Sequence, residues 1–391
     1  MIINSILDTD LYKLTMQQAA LLLYPSAVAE YRFINRRLTD DFGPGFASTL
    51  RDHVDKMSGL ALEDDELSWL SQFSFLNPAY LQYLKNFRFD PSQVSISEDS
   101  PDHLAISIKG KWHETILWEV PLMALISELH FLGPLNKDYP KDLTEEQAKK
   151  AREKGQKLAN AKIYFAEFGT RRRRDSFLHS IITGELSKAQ TFVGTSNLEI
   201  AHKDGLRPIG TMAHEWIQAH SVLCGLRHAN RCALDAWMQV YQSDLGIALT
   251  DTYGTESFFA DFDAVHCRTW DGVRHDSGCP FAFANRVVDH YNEIGIDPMT
   301  KTIVFSDGLD VDKTIEIANH CLGKIKCSFG IGTHFTNDFD TPALNMVIKL
   351  VELNGVPVVK LSDVKTKQVG DPDALRVANW TFFGTPLDEV A

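Results

Sequence analysis

Two kinds of hydrophobic pattern follow one another along the chain. In its first third, alternating apolar and polar positions predict strands at residues 28–34, 94–97 and 104–109, separated by stretches with helical periodicity. The apolar run 115–120 is a further candidate strand, which Pro121 would end. Strand pairs that are close in sequence and mixed with helices are typical of an α+β domain.

Strand and helix patterns alternate in the middle of the chain. Each predicted strand is followed by a polar turn and in most cases by a helical pattern, which indicates a parallel sheet. An open doubly wound sheet uses only the strand ends near its switch point, whereas a barrel uses all of them. Since a polar turn follows the carboxyl end of every predicted strand, a closed or nearly closed α/β barrel is favoured. The seven predicted strands are 163–168, 191–193, 208–210, 246–250, 272–274, 302–305 and 326–329.

A hairpin is predicted after the barrel. Residues 345–353 and 356–361 are apolar runs joined by Asn354-Gly355, a pair that favours the tight turn of an antiparallel hairpin. Such a hairpin does not continue a parallel barrel, so we expect it to return to the sheet of the first domain. The breaker cluster 133–137 marks the boundary before the barrel. The predicted organisation is an N-terminal α+β domain (1–135), a catalytic α/β barrel (136–343) and a C-terminal hairpin and tail (344–391).

Composition and charge narrow the class of protein. The chain has 391 residues, 44% of them hydrophobic, and a formal net charge of -13. Its N-terminus lacks the basic region of a secretory signal, and no apolar run reaches membrane-spanning length. The six cysteines form no C-x-x-C pair, so reduced thiols in a cytoplasmic protein are expected. The acidic balance argues against nucleic acid as a partner but permits anionic substrates at a basic site.

Four consecutive arginines oppose this acidic balance. Arg171 to Arg174 follow the predicted strand 163–168 and the turn Gly169-Thr170. In parallel α/β folds ligands bind at this carboxyl end of the strands, and guanidinium groups match the geometry of carboxylates and phosphates. The run alone does not decide between an anion site and a solvated basic loop.

His214 and Glu215 also follow a predicted strand. A zinc site is disfavoured because the next histidine, His220, lies six residues on, whereas two ligands on one helix face require a spacing of four. A packed histidine and a catalytic histidine both fit this position, with Glu215 available to orient the ring.

Aspartates and a glycine-rich turn stand at other strand exits. Asp251, Asp276 and Asp307 suit ribose hydroxyls, Mg²⁺ reached through water, or the N-caps of helices. The sequence Gly-Ile-Gly-Thr at 330–333 is typical either of a phosphate site late in a barrel or of an ordinary turn. Spacing alone leaves these alternatives open.

Six motifs in the same order resemble the nicotinate phosphoribosyltransferase family. Each motif alone is modest, but together they span almost the whole chain, and their number and order make the match specific. The motifs are Leu7-Asp8-Thr9-Asp10-Leu11-Tyr12-Lys13, Phe168-Gly169-Thr170-Arg171-Arg172, Gly210-Thr211-Met212-Ala213-His214-Glu215-Trp216, Arg274-His275-Asp276-Ser277-Gly278, residues 329–333, and Ile348-Lys349-Leu350 through Lys360-Leu361-Ser362-Asp363.

The resemblance implies both a fold and a reaction. The fold is that of the type II phosphoribosyltransferases, an irregular α/β barrel with an α+β domain formed by the N-terminal part and a returning C-terminal hairpin. The reaction joins nicotinate to phosphoribosyl pyrophosphate and gives nicotinate mononucleotide and pyrophosphate, a step of NAD salvage. ATP hydrolysis is coupled to it in this family through a phosphohistidine, which by its place in G-T-x-A-H is His214. Mg²⁺ is expected to arrive with the substrates, and the protein is expected to be a monomer or a homodimer.

The resemblance also assigns roles to individual residues. Pyrophosphate departure leaves oxocarbenium character on the ribose, so positioning and electrostatic stabilisation are expected to dominate catalysis. Family sites often border a subunit interface, which makes Tyr12 and Lys349 candidates to serve a neighbouring subunit. The implied catalytic residues are His214, Glu215 and Asp276; those for nicotinate are Tyr12, Phe168, Arg171, Ser196, Thr211 and Arg274; those for phosphoribosyl pyrophosphate are Arg36, Arg172, Asp307, Gly332, Thr333, Lys349 and Lys360.

Two positions bear on substrate choice and activity. Ser196 stands where related nicotinamide enzymes carry an aspartate; its hydroxyl avoids charge repulsion with a nicotinate carboxylate and can donate a hydrogen bond to it. The family usually continues R-x-D-S-G with Asp-Pro, whereas this chain has Cys279. That change is either tolerated or weakens Mg²⁺ or substrate binding. The alternatives to a nicotinate enzyme are a nicotinamide phosphoribosyltransferase and a non-catalytic relative that binds metabolites.

Overall fold

The structure is a computed structural model that describes residues 2–37, 42–100, 103–132 and 141–384. The predicted boundary cluster 133–137 lies outside these residues. Within them, no helix is long and apolar enough to cross a membrane. The chain is a mixed α/β protein with one largely antiparallel and one largely parallel sheet.

Seventeen α-helices and eleven strands form the described part of the chain. The helices are α1 (Leu11–Leu23), α2 (Phe46–Lys56), α3 (Asp64–Leu70), α4 (Pro78–Asn86), α5 (Trp112–Thr115), α6 (Glu119–Leu132), α7 (Lys141–Asn160), α8 (Ser176–Leu186), α9 (Leu198–Asp204), α10 (His214–Leu223), α11 (Ala229–Tyr241), α12 (Thr255–Asp261), α13 (Ala264–Thr269), α14 (Pro280–Ile294), α15 (Val311–Cys321), α16 (Thr333–Thr336) and α17 (Pro372–Phe383). The strands are β1 (Val28–Asn35), β2 (Val94–Ser100), β3 (His103–Lys111), β4 (Phe165–Glu167), β5 (Phe192–Thr195), β6 (Ile247–Leu249), β7 (Gly272–His275), β8 (Thr302–Phe305), β9 (Lys326–Ile331), β10 (Met346–Leu353) and β11 (Val356–Pro357).

The strands make two sheets, with orders β11-β10-β1-β3-β2 and β5-β4-β9-β8-β7-β6. Antiparallel pairing joins β2 to β3 and β10 to β11. Parallel pairing joins β4 to β5 and links β6, β7, β8 and β9 in sequence. The predicted alternation of strands and helices in the middle of the chain is therefore confirmed.

Three of the predicted strands are wrong or shortened. Residues 115–120 are helical, because a segment buried on all sides is apolar on all sides and loses its helical periodicity. The predicted strand 208–210 is reduced to one bridge between Pro208 and Thr195, since proline has no N–H for a ladder. The second hairpin strand ends at Pro357, and Lys360 instead forms an isolated bridge with Val369.

The chain divides into two compact units. Both combine segments that are distant in sequence, so each is defined here by its residue ranges. Unit 1 consists of Met1–Ser26, Glu30–Gly210 and Ile331–Lys349, and unit 2 consists of Ala27–Ala29, Thr211–Gly330 and Leu350–Ala391.

A fully buried arginine ties together three segments of unit 1. The Arg173 guanidinium donates two hydrogen bonds to the Asp8 carboxylate, at 2.5 and 2.7 Å, and its Nε donates to Glu128 at 2.8 Å. Asn197 donates a further bond to Asp8 at 3.0 Å. Burial raises the pKa of Glu128 to about 7 although Arg173 opposes this, because one guanidinium neutralises only one of two carboxylates.

The parallel strands of unit 2 all end at one edge. Leu249 of β6 lies opposite Arg274 of β7, and His275 of β7 lies opposite Phe305 of β8. Parallel strands in this register point their carboxyl ends the same way. The residues that follow β6, β7 and β8 are thereby brought side by side.

Removing Arg173 should be far more costly than removing an exposed arginine. We expect Arg173→Met to lower the free energy of unfolding by about 3–5 kcal/mol, because Asp8 and Glu128 would remain buried without a cation. Urea unfolding followed by circular dichroism measures this loss. The matched control is Arg152→Met, since Arg152 forms an ion pair with Glu185 while 61% of its side chain is exposed, and its loss should be much smaller. Equal losses in the two variants would contradict the structural role of Arg173.

Candidate active site

Polar residues of unit 2 converge where its parallel strands end. Asp251 follows β6, Asp276 follows β7 directly, and Ser306 follows β8 directly. His214 is the first residue of α10, after the extended residue Ala213. Lys360 joins them from the segment after β11.

His214 is held by a carboxylate and an ammonium group. Its Nε2 lies 2.7 Å from Asp251 Oδ1 and 2.9 Å from Lys360 Nζ, and Lys360 Nζ lies 2.9 Å from Asp251 Oδ2. Nε2 thus faces both an acceptor and a donor. We assign its proton to the contact with Asp251, because that contact is the shorter one and an ionised carboxylate only accepts, while Lys360 has Asp251 Oδ2 as its own acceptor. The neutral ring then has its lone pair on Nδ1.

Burial keeps the His214 ring neutral, and the neighbouring cationic groups keep Asp251 ionised. Burial, helped by Lys360, lowers the pKa of His214 to about 4 against the opposing influence of Asp251 and Asp276. Burial alone would raise the pKa of Asp251, but His214 and Lys360 outweigh it and hold that pKa well below its usual range. Near pH 7 the site therefore contains an imidazole with a free lone pair beside a carboxylate–ammonium pair.

Serine hydroxyls complete the surroundings of Asp251. Ser277 donates to Asp251 Oδ2 at 2.6 Å, and Ser362 donates to Ser277 at 3.0 Å. Asp251 is 1% exposed, so its acceptor positions are occupied by groups of unit 2 rather than by solvent.

Asp276 is oriented by Arg274 and Ser306. Arg274 donates from Nη2 to Asp276 Oδ1 at 3.2 Å and from Nε to the Ser306 hydroxyl at 2.8 Å, while Ser306 donates to Asp276 Oδ1 at 2.8 Å. Arg274 leads the cations that keep the pKa of Asp276 below its usual range despite burial. With 21% of its side chain exposed, compared with 1% for Asp251, Asp276 is the carboxylate of the pair that a ligand can reach.

The remaining predicted residues of unit 2 lie close by in sequence but have different contacts. Asp307 forms an ion pair with Lys367, which also donates to the Asp276 carbonyl at 3.0 Å. Thr211 donates to the carbonyl of Ile247 at 3.2 Å. Glu215 is buried in the first turn of α10.

His214, Asp251 and Asp276 are close enough to be considered as metal ligands. One potential ligand atom from each lies within 4.8 Å of the others. The contacts already described argue against a resident Mg²⁺, because Lys360 neutralises Asp251 and would repel a second cation. The residues thus do not fit a permanent metal centre.

Unit 1 contains a second concentration of charge, centred on Glu119. Lys13, which is fully buried, lies 2.5 Å from Glu119 Oε2, and Arg171 Nη1 lies 3.6 Å from Oε1. Burial acts to raise the pKa of Glu119, but Lys13, Lys349 and Arg171 lower it to about 2. Three cations thus surround one carboxylate, which leaves this region positively charged.

The four arginines of the run have four different environments. Arg171 faces Glu119, and Arg173 forms the buried network with Asp8 and Glu128. Arg172 donates to the Met346 carbonyl at 2.8 and 3.1 Å, and burial together with Arg171 and Arg36 lowers its pKa to about 10. Arg174 stacks on the rings of Phe131 and Phe339, with its guanidinium carbon 3.7 and 4.3 Å from their centres. The run is therefore neither a uniform anion site nor a solvated loop.

Ser196 has a hydrogen-bond partner that the sequence did not indicate. Its hydroxyl donates to Asp10 Oδ1 at 2.8 Å, and both residues are buried. Burial raises the pKa of Asp10 although Arg171 and the Ser196 hydrogen bond oppose this. The donor capacity of Ser196 is thus used within the protein.

The other predicted residues of unit 1 have different surroundings. Phe168 donates its N–H to Ile331 at 2.8 Å, and a side chain at Gly332 would come within 3.1 Å of the Phe168 carbonyl, so this close approach favours glycine. Thr333 begins the four-residue helix α16 next to Gly332. Tyr12 lies on α1 and is 9% exposed, whereas the Arg36 N–H donates to the Asn345 carbonyl at 2.8 Å.

Cys279 occupies the N-cap position of α14, with Pro280 as the first helical residue. Its side chain makes no capping hydrogen bond. An aspartate there would be able to accept the free N–H groups of the first turn, as Asp175 does for α8 and Asp371 does for α17. The carboxylate that family members carry at this position thus has a structural explanation besides Mg²⁺ or substrate binding.

Several polar residues at these clusters were not among the predicted site residues. Asp251 is predicted as a candidate for ribose hydroxyls, Mg²⁺ or a helix N-cap, but not as the partner of His214. Lys367, Ser306, Glu119 and Lys13 have no predicted role. The sequence contains a signal for two of these residues. Lys13 follows Tyr12 in one of the motifs, and Ser306 directly follows a predicted strand. For Glu119 the sequence contains no such signal, because this residue lies in the run 115–120 that is predicted as a strand.

Models of a known protein family match most of the chain. The model of the nicotinate phosphoribosyltransferase (NAPRTase) family matches residues 163–385, and that of the NAPRTase N-terminal domain matches residues 7–127. A protein named nicotinate phosphoribosyltransferase from Methanosarcina acetivorans is 50% identical over 405 residues, which cover 99% of this chain and 100% of that protein.

Two solved structures resemble the fold over nearly its full length. The crystal structure of nicotinate phosphoribosyltransferase from Porphyromonas gingivalis has a TM-score of 0.93 and 40% identity, with 97% of this chain and 100% of that chain covered. The crystal structure of a protein from Saccharomyces cerevisiae has a TM-score of 0.92 and 34% identity, with 98% of this chain and 99% of that chain covered. The predicted fold class is confirmed by these likenesses.

The effect of the Lys360 charge on the pKa of His214 should be measurable by titration. In Lys360→Met one of the causes that lower the His214 pKa is removed, so we expect this pKa to rise above its value of about 4. NMR of the ring protons and carbons between pH 4 and 8 follows this titration. Lys367→Met is the control, since Lys367 pairs with Asp307, and it should leave the pKa of His214 nearly unchanged. An unchanged or lower pKa in Lys360→Met would contradict the described arrangement.

Proposed function

The chain belongs to the nicotinate phosphoribosyltransferase (NAPRTase) family, and on that basis we propose that it joins nicotinate to phosphoribosyl pyrophosphate, forming nicotinate mononucleotide and pyrophosphate. We further propose that ATP hydrolysis drives the reaction through phosphorylation of His214. The geometry of His214, Asp251 and Lys360 is the observation that carries this second part.

The state of the His214 ring supports its phosphorylation. Nε2–H donates to Asp251, so Nδ1 holds the lone pair and is the nucleophile. Attack of Nδ1 on the γ-phosphorus of ATP forms the N–P bond while the bond between that phosphorus and the β–γ bridging oxygen breaks, and ADP leaves. The ring becomes cationic in this step, and the Asp251 carboxylate 2.7 Å from Nε2 stabilises it. Water later cleaves the N–P bond and releases phosphate.

The depressed pKa of His214 supports the same role. A histidine with a pKa of about 4 is almost entirely neutral at pH 7, so no proton has to leave Nδ1 before attack. Lys360, which lies against Nε2, contributes to this neutrality.

The chemistry of phosphoribosyl transfer requires cations and little covalent participation by the protein. The bond from the anomeric carbon to the pyrophosphate oxygen breaks, the ribose gains oxocarbenium character, and the nicotinate nitrogen attacks the same carbon. In unit 2 we propose that Asp276, oriented by Arg274 and Ser306, stabilises the ribose cation or its hydroxyls. In unit 1 we propose that Arg36, Arg171, Arg172 and Lys349 attract the phosphate and carboxylate groups of the substrates, with Mg²⁺ arriving on pyrophosphate.

One assay separates this function from its alternatives. Pyrophosphate release should depend on nicotinate and phosphoribosyl pyrophosphate and should be stimulated by ATP. Release with nicotinamide in preference to nicotinate would indicate the nicotinamide enzyme. Absence of release with either pyridine would indicate a non-catalytic relative.

The phosphohistidine can be tested by chemical labelling. We expect His214→Ala to incorporate no acid-labile phosphate from γ-labelled ATP and to lose the stimulation by ATP, because the nucleophilic nitrogen is absent. Label retention after acid and base treatment distinguishes phosphohistidine from phosphoserine. The matched control is His228→Gln, which removes an exposed histidine and should leave the label intact. A histidine-bound label in His214→Ala would refute the assignment.

The hydrogen bond from Ser196 to Asp10 changes how substrate choice must be tested. An aspartate at position 196 would place a carboxylate against Asp10, so it would destabilise unit 1 whatever the substrate. It also means that the Ser196 hydroxyl is already committed, and a nicotinate carboxylate would be bound mainly by cations such as Arg171 or Arg274. Asparagine is the better substitution, since its amide can donate to Asp10 and offers an oxygen that accepts from a carboxamide.

We expect Ser196→Asn to shift the preference from nicotinate towards nicotinamide. The ratio of kcat/KM for nicotinate to that for nicotinamide should fall by about 10-fold, which corresponds to about 1.4 kcal/mol of differential transition-state binding. Steady-state kinetics with both pyridines measures this ratio. Ser196→Ala is the control: it removes the donor to Asp10 without adding an acceptor and should lower both values similarly. An unchanged ratio in Ser196→Asn would argue against a role of this position in substrate choice.

A further inference from the structure

The segment 360–363, Lys-Leu-Ser-Asp, is hydrogen-bonded to the segment 251–255. The N–H of Leu361 donates to the Thr252 carbonyl at 2.9 Å. The Asp363 carboxylate accepts two hydrogen bonds from Thr255, one from its N–H at 2.8 Å and one from its hydroxyl at 2.6 Å. Both segments belong to unit 2, although Thr255 and Asp363 are 108 positions apart in sequence. Tertiary packing therefore attaches the late segment directly beside Asp251.

Asp363 takes the place of a capping residue for α12. The N-cap position of this helix is Gly254, which has no side chain that could accept the N–H groups of the first turn. Thr255, the first helical residue, donates its N–H to Asp363 instead. A cap of this kind usually comes from the residue that precedes the helix. Here it comes from a distant segment, so the same hydrogen bonds also fix the position of that segment.

The backbone between Lys360 and Asp363 has an unfavourable conformation. Ser362 has a φ of 60°, in the left-handed region that favours glycine. Such a conformation persists only where the surrounding contacts determine it. The Ser362 hydroxyl donates to Ser277 at 3.0 Å, and Thr255 holds the next residue, Asp363. Without the bonds to Asp363, the backbone of this segment would be free to leave the left-handed conformation.

The position of the Lys360 ammonium depends on this segment. Its Nζ lies 2.9 Å from His214 Nε2 and 2.9 Å from Asp251 Oδ2, and the residue is 7% exposed. A lysine side chain is long and flexible, so two such contacts require a fixed backbone. The backbone bridge of Lys360 to Val369 stays within the C-terminal part of the chain. The bonds of the segment 360–363 to the segment 251–255 are what place Lys360 beside Asp251.

We propose that Asp363 is a positioning residue for the phosphorylation of His214, because its two hydrogen bonds with Thr255 keep the Lys360 ammonium against Asp251 and the His214 ring. Asp363 acts through Lys360 and takes no part in the chemistry itself. A paired and immobile Asp251 holds the ring in one orientation, which directs Nδ1 in a constant direction. The phosphorylation rests on the proposed function, whereas the position of Lys360 can be measured without any substrate.

The pKa of His214, followed by NMR titration, reports the position of Lys360, since this ammonium lowers that pKa in addition to burial. Asp363→Ala and Asp363→Asn both remove the carboxylate charge, but the asparagine amide can still accept from the Thr255 N–H and donate to its hydroxyl. We expect a higher His214 pKa in Asp363→Ala than in Asp363→Asn, because only the alanine variant releases the ammonium. The difference should disappear when Lys360→Met is added to both variants.

Labelling with γ-labelled ATP adds a functional readout. Label on His214 should accumulate more slowly in Asp363→Ala than in Asp363→Asn, because the ring is less well oriented. The matched control is Asp371→Ala, which removes an exposed aspartate that caps α17, and it should leave both the His214 pKa and the labelling rate unchanged. Absence of label in the wild-type protein would count against the proposed phosphohistidine, and the titration would then decide the role of Asp363.

Thr255→Val tests the same link without changing a charge, since it removes the hydroxyl donor to Asp363 at nearly constant volume. It should raise the His214 pKa above the wild-type value, and it decides the question if Asp363→Ala does not fold. The same His214 pKa in Asp363→Ala and Asp363→Asn, together with a wild-type pKa in Thr255→Val, would overturn the proposal. A difference that persists in the Lys360→Met background would also overturn it, because the effect would not pass through Lys360.

Discussion

The need to pair buried charge is the constraint on which both candidate regions depend. Asp251 is almost fully buried, and it is compatible with the fold because His214, Lys360 and Ser277 satisfy its oxygens. Burial and the nearby Lys360 leave His214 neutral, and the contact with Asp251 orients its ring. In unit 1, Glu119 is compatible with burial for a similar reason, since Lys13 and Arg171 face it. In both places the groups that stabilise the protein also set the charge that a ligand would meet.

Much of the fold could be predicted because its strands have local signals. Short apolar runs followed by polar turns located β4 to β9, and Asn354-Gly355 located the turn between β10 and β11. The failures share a physical cause. At residues 115–120 burial on all sides removed the periodicity that separates helix from strand, and at Pro208 the absence of an N–H limited pairing to one bridge.

The site was predictable as a set of positions but not as a set of contacts. Their positions at the ends of predicted strands identify Asp276, Arg274 and His214 as candidates, and the structure brings these three together in unit 2. The sequence did not reveal that Arg173 is a structural residue, because its partners Asp8 and Glu128 are distant along the chain. Pairing between distant residues is set by tertiary packing, which no local pattern records.

The origin of Lys360 has a consequence for biosynthesis. The His214–Asp251 pair and its parallel strands belong to residues that the ribosome adds well before Lys360, which also lies after the β10–β11 turn. Until that late segment emerges and docks within unit 2, a nascent chain would contain Asp251 without its ammonium partner. Cotranslational folding of this region should thus stay incomplete, and open to chaperones, until translation has passed residue 360.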